Sequence, residues 1–397
     1  MSELSCPRCG RDGSGFAGCT HCRQEGVPVN LRPPLADLRG KRLDAFPGGV
    51  WGWPDALACS DAPVVTLGEG DTPVVQIAAE GGDLFVKLES LNPTGSHKDR
   101  GMAAGVSAAV RHGAETVVLA SSGNAGVSAA AYAAQAGITC VVTSSEGLLP
   151  YFKSQMLAYG AKLAVFEDPA LRTRMTGHAV ENLGWYPLAN FVLPAVGGNP
   201  FANEGFKSIA YELARDLPDA EYVVVPTCRA DLLSGIHRGY CELEAAGLIP
   251  RAPRLVAAET ATGAAFVAAM ALDERHAQER AEVERQPSPA FSIGSDNATW
   301  QGLDALWASG GSALAVDPPT FMAEQAALAR GGVLLEASSA VAVAVARQIV
   351  AATGSCVVAI GTASGVKDPP VPPKDDLDVT AAPSLAQLAQ LGLPHDQ

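Results

Sequence analysis

The sequence predicts an α/β protein built on parallel sheets, and two observations support that fold class. Short apolar runs rich in β-branched residues recur along the chain, and alanine-rich stretches with the length of helices lie between them. Such runs are typical of strands buried on both faces of a parallel sheet, and the intervening stretches are typical of connecting helices. The predicted strands are residues 116–120, 139–144, 162–167, 221–226, 254–259 and 356–361. The clearest predicted helices are residues 125–136 and 203–215.

The composition of the 397 residues excludes several classes of protein. Hydrophobic residues make up 48% and charged residues 18%, which excludes a disordered chain, a collagen and a coiled coil. Asp and Glu number 42 against 28 Lys and Arg, so the net charge is −14. Because so acidic a chain lacks long-range attraction to phosphate backbones and anionic lipids, we expect neither nucleic acid nor a membrane as its partner.

Three features predict a reduced, cytoplasmic compartment. The first residues, MSELSCPRCG, lack the basic and apolar regions of a secretory signal. No apolar run reaches the roughly 18 residues of a transmembrane helix. The nine cysteines are an odd number with uneven spacing, which does not favour a disulfide framework.

Residues 1–25 carry two CxxC pairs separated by nine residues. The four cysteines are Cys6, Cys9, Cys19 and Cys22. Four thiolates close a tetrahedral shell around Zn²⁺, and so small a segment has too little core to fold without a metal. We therefore predict a structural, zinc-ribbon-like module. Four unrelated free thiols are the alternative, and a docking role for the module through its few arginines is a further one.

Three other segments have no predicted chemistry. Residues 26–59 are rich in Pro, Gly and Trp and read as an irregular connector. Residues 273–285 are a charge run, which predicts a solvated helix face. Residues 371–397 are Pro-rich, then acidic, then weakly helical, and we expect a surface tail.

The most informative motif is LFVKLESLNPTGSHKDRGM at residues 84–102. An apolar strand runs into a turn with helix-capping residues, and Lys98 falls in the first turn of the helix that follows. The positive end of the helix dipole disfavours an ammonium ion there, and a neutral lysine is what a Schiff base with an aldehyde cofactor requires. An ordinary surface lysine at a helix start is the alternative.

Two further loops join a strand to a helix. In ASSGNAG, the amides of residues 122–125 can converge on an anion such as a carboxylate. In VVVPTCRADLLSG, the position suggests a phosphate cradle, yet the loop lacks glycine, and Cβ atoms at Cys228, Ala230 and Asp231 limit close backbone approach. Asp231 would also repel a phosphate, which Arg229 could offset. A fourth motif, GTASGVKDP, places Thr362 at the end of a strand.

These motifs in this order resemble the fold type II pyridoxal 5′-phosphate (PLP) enzymes, and within them threonine synthase and its relatives. NPTGSHKDRG resembles the family's cofactor-lysine motif, and SSGNAG its loop for the substrate carboxylate and the cofactor hydroxyl. TLGEGDTP, LLEASSAVA and GTASGVKDP fall in the expected order. The resemblance covers roughly residues 60–370 and implies a tryptophan synthase β-like pair of domains. The large, PLP-binding domain would comprise residues 60–103 and 197–370, and the small, substrate-side domain residues 104–196.

The resemblance also implies roles for individual residues. Lys98 would form the Schiff base with PLP and act as acid and base at the α-carbon. Asn124 would contact the 3′-hydroxyl and Thr362 the pyridine nitrogen; a neutral hydroxyl there suits elimination and replacement. His97 would lie near the cofactor phosphate, with simple packing as the alternative. The substrate carboxylate would be held by Ser121, Ser122, Gly123, Asn124 and Ala125. The cofactor phosphate would be held by Thr227, Cys228, Arg229, Ala230, Asp231 and Leu232.

One departure from the family pattern concerns the substrate. Threonine synthases that use O-phosphohomoserine typically read NSxNPxRxEG, whereas residues 196–205 read VGGNPFANEG, so three phosphate-binding side chains are missing. Lys153, Arg100 and Lys207 are candidates for replacement charge. We therefore expect a homodimeric enzyme of divergent specificity that eliminates or replaces a β- or γ-substituent of an amino acid. Threonine synthase proper and a non-catalytic binding protein are the alternatives.

Overall fold

The computed structural model describes residues 4–368 and builds them around two parallel sheets. The strands are β1 Leu4–Ser5, β2 Asp12–Gly13, β3 Val74–Ile77, β4 Leu84–Lys87, β5 Thr116–Ala120, β6 Thr139–Ser145, β7 Lys162–Phe166, β8 Tyr186–Pro187, β9 Tyr222–Pro226, β10 Arg254–Thr260, β11 Ser312–Val316 and β12 Val357–Ile360. The helices are α1 Thr20–Gln24, α2 Lys98–Arg111, α3 Asn124–Ala136, α4 Pro150–Ala158, α5 Pro169–Leu183, α6 Pro200–Glu204, α7 Lys207–Asp216, α8 Asp231–Ala245, α9 Ala265–Met270, α10 Arg275–Gln278, α11 Trp300–Ser309, α12 Pro318–Arg330 and α13 Ala337–Thr353. The predicted tail, residues 371–397, lies outside the described residues.

The larger sheet has six strands in the order β11-β10-β9-β12-β4-β3. All neighbours are parallel except β3, which runs antiparallel to β4 at one edge. Successive residues of β9 point to opposite faces: Val223 and Val225 join the core on the α7 and α8 side, and Val224 joins the core beneath α13. Helices therefore cover both faces, which confirms the predicted α/β class with buried parallel strands.

The smaller sheet has four parallel strands in the order β7-β6-β5-β8. Its strands lie within residues 116–187, and the strands of the larger sheet lie before and after that stretch. The division of the chain into domains at residues 103/104 and 196/197 stays a prediction.

All six strands and one helix predicted from apolar runs are found within a residue or two of their expected bounds. The predicted helix 203–215 is instead divided into α6 and α7. The chain breaks at Gly205, where an added Cβ would lie 1.9 Å from the carbonyl oxygen of Arg100, so only glycine permits this approach to α2.

The helix predicted over residues 273–285 is wrong, although most side chains of the run are exposed, as predicted. Only α10 is helical there, and Gln278 is buried. The Glu279 side chain, 9% exposed, pairs with Arg8 at 3.0 Å and accepts a hydrogen bond from the Trp300 indole at 2.9 Å. Around Glu279 the run therefore packs between the N-terminal segment and α11, and most of the rest of it faces solvent.

The N-terminal segment packs on the body of the protein. Its four cysteine sulfurs lie within 4.8 Å of one another, and the closest pairs are Cys6 with Cys22 at 3.6 Å and Cys9 with Cys19 at 3.7 Å. Four thiolates at a Zn–S distance of about 2.3 Å would be about 3.8 Å apart in a tetrahedron. The arrangement fits the predicted zinc, which stays a prediction.

The segment and the connector that follows it also make hydrogen bonds to residues 193–198. Arg23 donates to the carbonyl oxygens of Leu193 and Pro194, and Asn30 donates to those of Gly197 and Gly198. Among the residues that the structure describes, no helix combines the length and the apolar character needed to cross a bilayer.

Candidate active site

A cavity of about 530 Å³ lies where strand ends of both sheets meet the N-termini of α2, α3 and α8. Its size and its position are those of ligand sites in open α/β sheets. Of the residues predicted for the site, it is lined by His97, Lys98, Ser121, Ser122, Gly123, Asn124, Ala125, Cys228, Arg229, Asp231, Leu232 and Thr362. Thr227 and Ala230 do not line it, although both lie in the loop that does.

Lys98 begins α2, as predicted, and its side chain is paired with a carboxylate. Its Nζ forms an ion pair with the Asp231 carboxylate and lies 5.6 Å from the centre of the Phe206 ring. Burial is the largest single influence on the pKa of Asp231 and raises it, but the charge and hydrogen bond of Lys98, with smaller contributions from His97 and the Leu232 amide, together hold that pKa below its ordinary value. This ion pair opposes the effect of the α2 dipole on the Lys98 ammonium, because it brings a carboxylate from 133 residues along the chain against Nζ.

The helix that carries Lys98 is fixed by a buried ion-pair network. The Arg100 guanidinium makes paired hydrogen bonds of 2.7 Å to Glu89 and to Glu212, and all three side chains are 0% exposed. Lys87 pairs with Glu212 at 2.6 Å. Because Arg100 is enclosed in this network, it cannot supply charge to a substrate.

The other two candidates for replacement charge are also unavailable. Lys207 is 0% exposed and pairs with Glu204 at 2.6 Å and with Glu242 at 2.9 Å. Lys153 is exposed on α4, outside the residues that line the cavity. None of the three predicted replacements therefore reaches the cavity.

His97 packs beside Lys98. Its ring lies 5.8 Å from that of Phe206, and its Nδ1 is 3.2 Å from the carbonyl oxygen of Thr362. Burial and the neighbouring Lys98 charge lower the pKa of His97 to about 3, so the imidazole is neutral. These contacts fit the alternative in which His97 is a packing residue. The ring also lines the cavity, so its predicted place near the cofactor phosphate stays a prediction.

Asn124 and Thr362 meet through Glu336, a residue to which the sequence assigned no role. The Glu336 carboxylate accepts a hydrogen bond of 3.1 Å from Asn124 Nδ2 and one of 3.3 Å from Thr362 Oγ1. Lys367 donates to Asn124 Oδ1 at 2.8 Å. Burial raises the pKa of Glu336 to about 7 and lowers that of Lys367 to about 8. Glu336 lies in the motif LLEASSAVA and Lys367 in the motif GTASGVKDP. Their place in these motifs is the only sequence feature that could have pointed to a role for them at the site.

The SSGNAG loop presents free amides at the N-terminus of α3. The Ser121 hydroxyl accepts hydrogen bonds from the amides of Gly123 and Gly126 and so holds the loop. Within residues 4–368, the amides of Ser122, Asn124 and Ala125 have no acceptor. Three of the four amides predicted to converge on an anion are therefore available, and that of Gly123 is not.

The loop from Thr227 to Leu232 also presents amides, but it carries a carboxylate. Ala230 adopts a left-handed backbone with φ of 56°, which an alanine tolerates poorly. Among the described residues, the amides of Cys228, Arg229, Ala230 and Asp231 have no acceptor. The Arg229 side chain pairs with Asp296 at 3.2 Å, so Lys98 rather than Arg229 offsets the charge of Asp231.

The stretch that departs from the family pattern forms one wall of the cavity. Asn190 Oδ1 accepts hydrogen bonds from the amides of Val196, Gly197 and Gly198 at 3.0 to 3.1 Å. Gly197 has φ of 103°, and an added Cβ would lie 1.7 Å from the Gln301 amide nitrogen. Ala202 lines the cavity where the family pattern has an arginine. The wall is thus built from backbone and small side chains.

Comparison with known proteins identifies relatives of this chain. The family model described as "Pyridoxal-phosphate dependent enzyme" matches residues 65–362. A threonine synthase of Mycobacterium leprae is 33% identical over 365 residues, which cover 88% of this chain and 97% of that protein. A threonine synthase of Methanocaldococcus jannaschii is 34% identical over 345 residues, which cover 81% of each. A crystal structure of O-ureido-L-serine synthase shares the fold, with a TM-score of 0.61, 22% identity and coverage of 80% and 96%.

The family match spans the cofactor-lysine motif, both amide-bearing loops and the strand end at Thr362. The relatives match along most of their own length as well as most of this chain. The chain belongs to the family of pyridoxal-phosphate dependent enzymes.

Proposed function

We propose that the protein eliminates or replaces a β- or γ-substituent of an amino acid, with a specificity that differs from that of threonine synthase proper. The observation that carries the proposal is the convergence of Lys98, Asn124 and Thr362 on one cavity that the N-terminus of α8 also faces. Threonine synthase relatives at about 33% identity support the same class of reaction.

The donors around the cavity fit PLP. Lys98 offers the amine for the aldehyde carbon, Asn124 the amide for the 3′-hydroxyl, and Thr362 the hydroxyl for the pyridine nitrogen. The free amides from Cys228 to Asp231, at the N-terminus of α8, suit a phosphate. When bound, PLP supplies the electron sink that allows a proton to leave the α-carbon. The Asp231 carboxylate is the one feature that opposes this fit.

The residues of this chain would divide the remaining work. The free amides of Ser122, Asn124 and Ala125 would hold the substrate carboxylate. Lys98, released when the substrate amine takes its place, would accept the α-proton on Nζ. A β-substituent then leaves with the electron pair of its bond as the Cα–Cβ double bond forms. A γ-substituent requires Lys98 to move a proton at the β-carbon as well.

Threonine synthase proper, acting on O-phosphohomoserine, is the alternative that the names of the relatives favour. Against it stand the missing phosphate-binding side chains at Val196, Gly197 and Ala202. A dianion needs charge-assisted hydrogen bonds, and the cations proposed as replacements are buried in other ion pairs or lie outside the cavity. We therefore favour a changed substrate on a retained scaffold.

A non-catalytic PLP-fold binding protein is the second alternative, and the Asp231 carboxylate in the phosphate loop favours it. Asp231 pairs with Lys98 itself, so both the phosphate site and the amine must be freed before the cofactor can bind. The two proposals differ in whether a cofactor forms a bond with Lys98.

The visible absorbance spectrum of the protein with added PLP tests the proposal. We expect a band that the wild type shows, that Lys98→Ala loses, and that one amino acid shifts. Lys153→Ala is the matched control, because that lysine is exposed and outside the cavity lining, and it should retain the band. A wild type without the band would refute the proposal in favour of the binding protein, and a shift by O-phosphohomoserine would favour threonine synthase proper.

A further inference from the structure

Arg172 is a cavity-lining cation without a carboxylate partner. It lies on α5, and its Nη1 donates to the Ser122 hydroxyl at 3.0 Å. Its Nε is buried and has no hydrogen-bond partner. Among the described residues, no carboxylate approaches the guanidinium within ion-pair distance, whereas cavity-lining Arg229 and Lys98 each have one. Arg285 also lines the cavity without an ion pair to any described residue, but its side chain is exposed to solvent.

The surroundings of Arg172 disfavour its charge. Burial lowers the pKa of Arg172, which is the signature of a guanidinium that has lost water without gaining an anion. Arg174, two residues along the same helix, points outward and pairs with Asp168 at 3.5 Å. Arg172 is half-buried, and a cation partly withdrawn from water is costly unless it is paired, so a ligand anion would complete its environment.

The Ser122 hydroxyl, which Arg172 contacts, lies in a cluster of serine hydroxyls at the end of β6. Ser122 Oγ lies 3.0 Å from Ser144 Oγ and 3.4 Å from Ser145 Oγ. Ser122 thus directs its hydroxyl toward β6 and α5, while its amide remains free at the N-terminus of α3. The SSGNAG loop therefore offers free amides on one side and the Ser122 hydroxyl on the other. A substrate carboxylate bound at the amides would leave the Arg172 guanidinium without an anionic partner.

We propose that Arg172 and Ser122 form a subsite for a monoanionic oxyanion, a carboxylate or a sulfonate, on the side chain of the substrate. One guanidinium balances one negative charge and can bind a planar carboxylate through two parallel hydrogen bonds. This inference rests on the proposed function, because it presumes that an amino acid occupies the cavity. It narrows the substrate to amino acids with a second acidic group.

The test measures dissociation constants of the PLP-loaded protein for matched pairs of amino acids. L-aspartate against L-asparagine tests a carboxylate, L-cysteate against L-serine a sulfonate, and O-phospho-L-homoserine against L-homoserine a phosphate. We expect the wild type to prefer aspartate or cysteate over the neutral partner by about 10- to 100-fold, as hydrogen bonds to charged groups allow. Arg172→Gln should remove that preference and leave the neutral ligands within about threefold.

The controls separate this subsite from a structural role. Arg174→Gln, on the same helix but outside the cavity lining, should bind all ligands as the wild type does. Arg172→Lys keeps the charge and should retain part of the preference, which also covers the case in which Arg172→Gln folds poorly.

Three results would overturn the inference. Equal loss of anionic and neutral ligands in Arg172→Gln would place Arg172 at the common α-carboxylate or in support of the loop. A wild type that prefers the phosphate would show a dianion subsite. A wild type that forms the cofactor band but binds anionic and neutral amino acids equally well would refute this inference alone. A wild type without the band would refute the proposed function as well.

Discussion

Replacement of Arg100 with methionine is expected to lower the free energy of unfolding by about 3 to 5 kcal/mol. The change removes four hydrogen bonds of 2.7 Å to Glu89 and Glu212. With Lys87, the four buried side chains sum to zero charge, and without Arg100 they sum to −1 in a place that water does not reach. A carboxylate left buried and unpaired is the main cost.

Thermal unfolding followed by calorimetry measures this loss. At about 2 to 4 °C per kcal/mol, the midpoint should fall by about 10 °C. Arg39→Met is the matched control, because that arginine also makes several hydrogen bonds to one carboxylate, Asp37, but is 79% exposed. Water replaces an exposed partner, so the control should unfold as the wild type does. An Arg100→Met protein as stable as the control would refute the reasoning.

The pH dependence gives a second check with a defined sign. Burial is the largest single influence on the pKa of Glu89 and of Glu212 and raises both, but the charge and hydrogen bonds of Arg100, together with Lys87, outweigh it, and both pKa values lie below their ordinary range. In the wild type their contribution is therefore present above the unfolded pKa of about 4.3 and is lost as the pH falls further. In Arg100→Met burial dominates, and the raised carboxyl pKa lets protonation relieve the penalty. The difference in midpoint between the two proteins should shrink from about pH 8 to about pH 5.

Two other predictions concern the cofactor and the metal. Asp231→Asn removes a negative charge from the phosphate loop and frees Lys98, so it should tighten PLP binding by at least about tenfold in an absorbance titration; an unchanged dissociation constant would show that Asp231 does not oppose the phosphate. The purified protein should carry about one zinc per chain by elemental analysis. Cys19→Ser should lose that zinc and unfold at a lower temperature, whereas Cys356→Ser, far from the cluster in sequence, should keep it; full zinc content in Cys19→Ser would contradict the site.

The sequence predicted elements well where local pattern and burial coincide. Residues 116–120 match β5 residue for residue, because a strand buried on both faces has to be continuously apolar. Strands β3 and β11 were missed, because both lie at edges of the larger sheet and carry half-exposed side chains. The charge run at residues 273–285 is exposed over most of its length, as predicted, but it is helical only in α10, and Glu279 is used in packing.

The features of the site likewise fall into those that local sequence predicts and those that depend on distant residues. The sequence by itself determined that Lys98 begins a helix and that two loops present amides at helix N-termini, because those features depend on neighbours within a few residues. Only the tertiary structure decided that Lys98 meets Asp231, 133 residues away, and that Asn124 meets Glu336, 212 residues away. It also decided that Arg100 is enclosed by carboxylates while Arg172 is left without one. The physical reason is that a charged side chain has the same identity whether it is buried, paired or free, and its chemistry depends on which distant groups the fold brings within hydrogen-bonding distance.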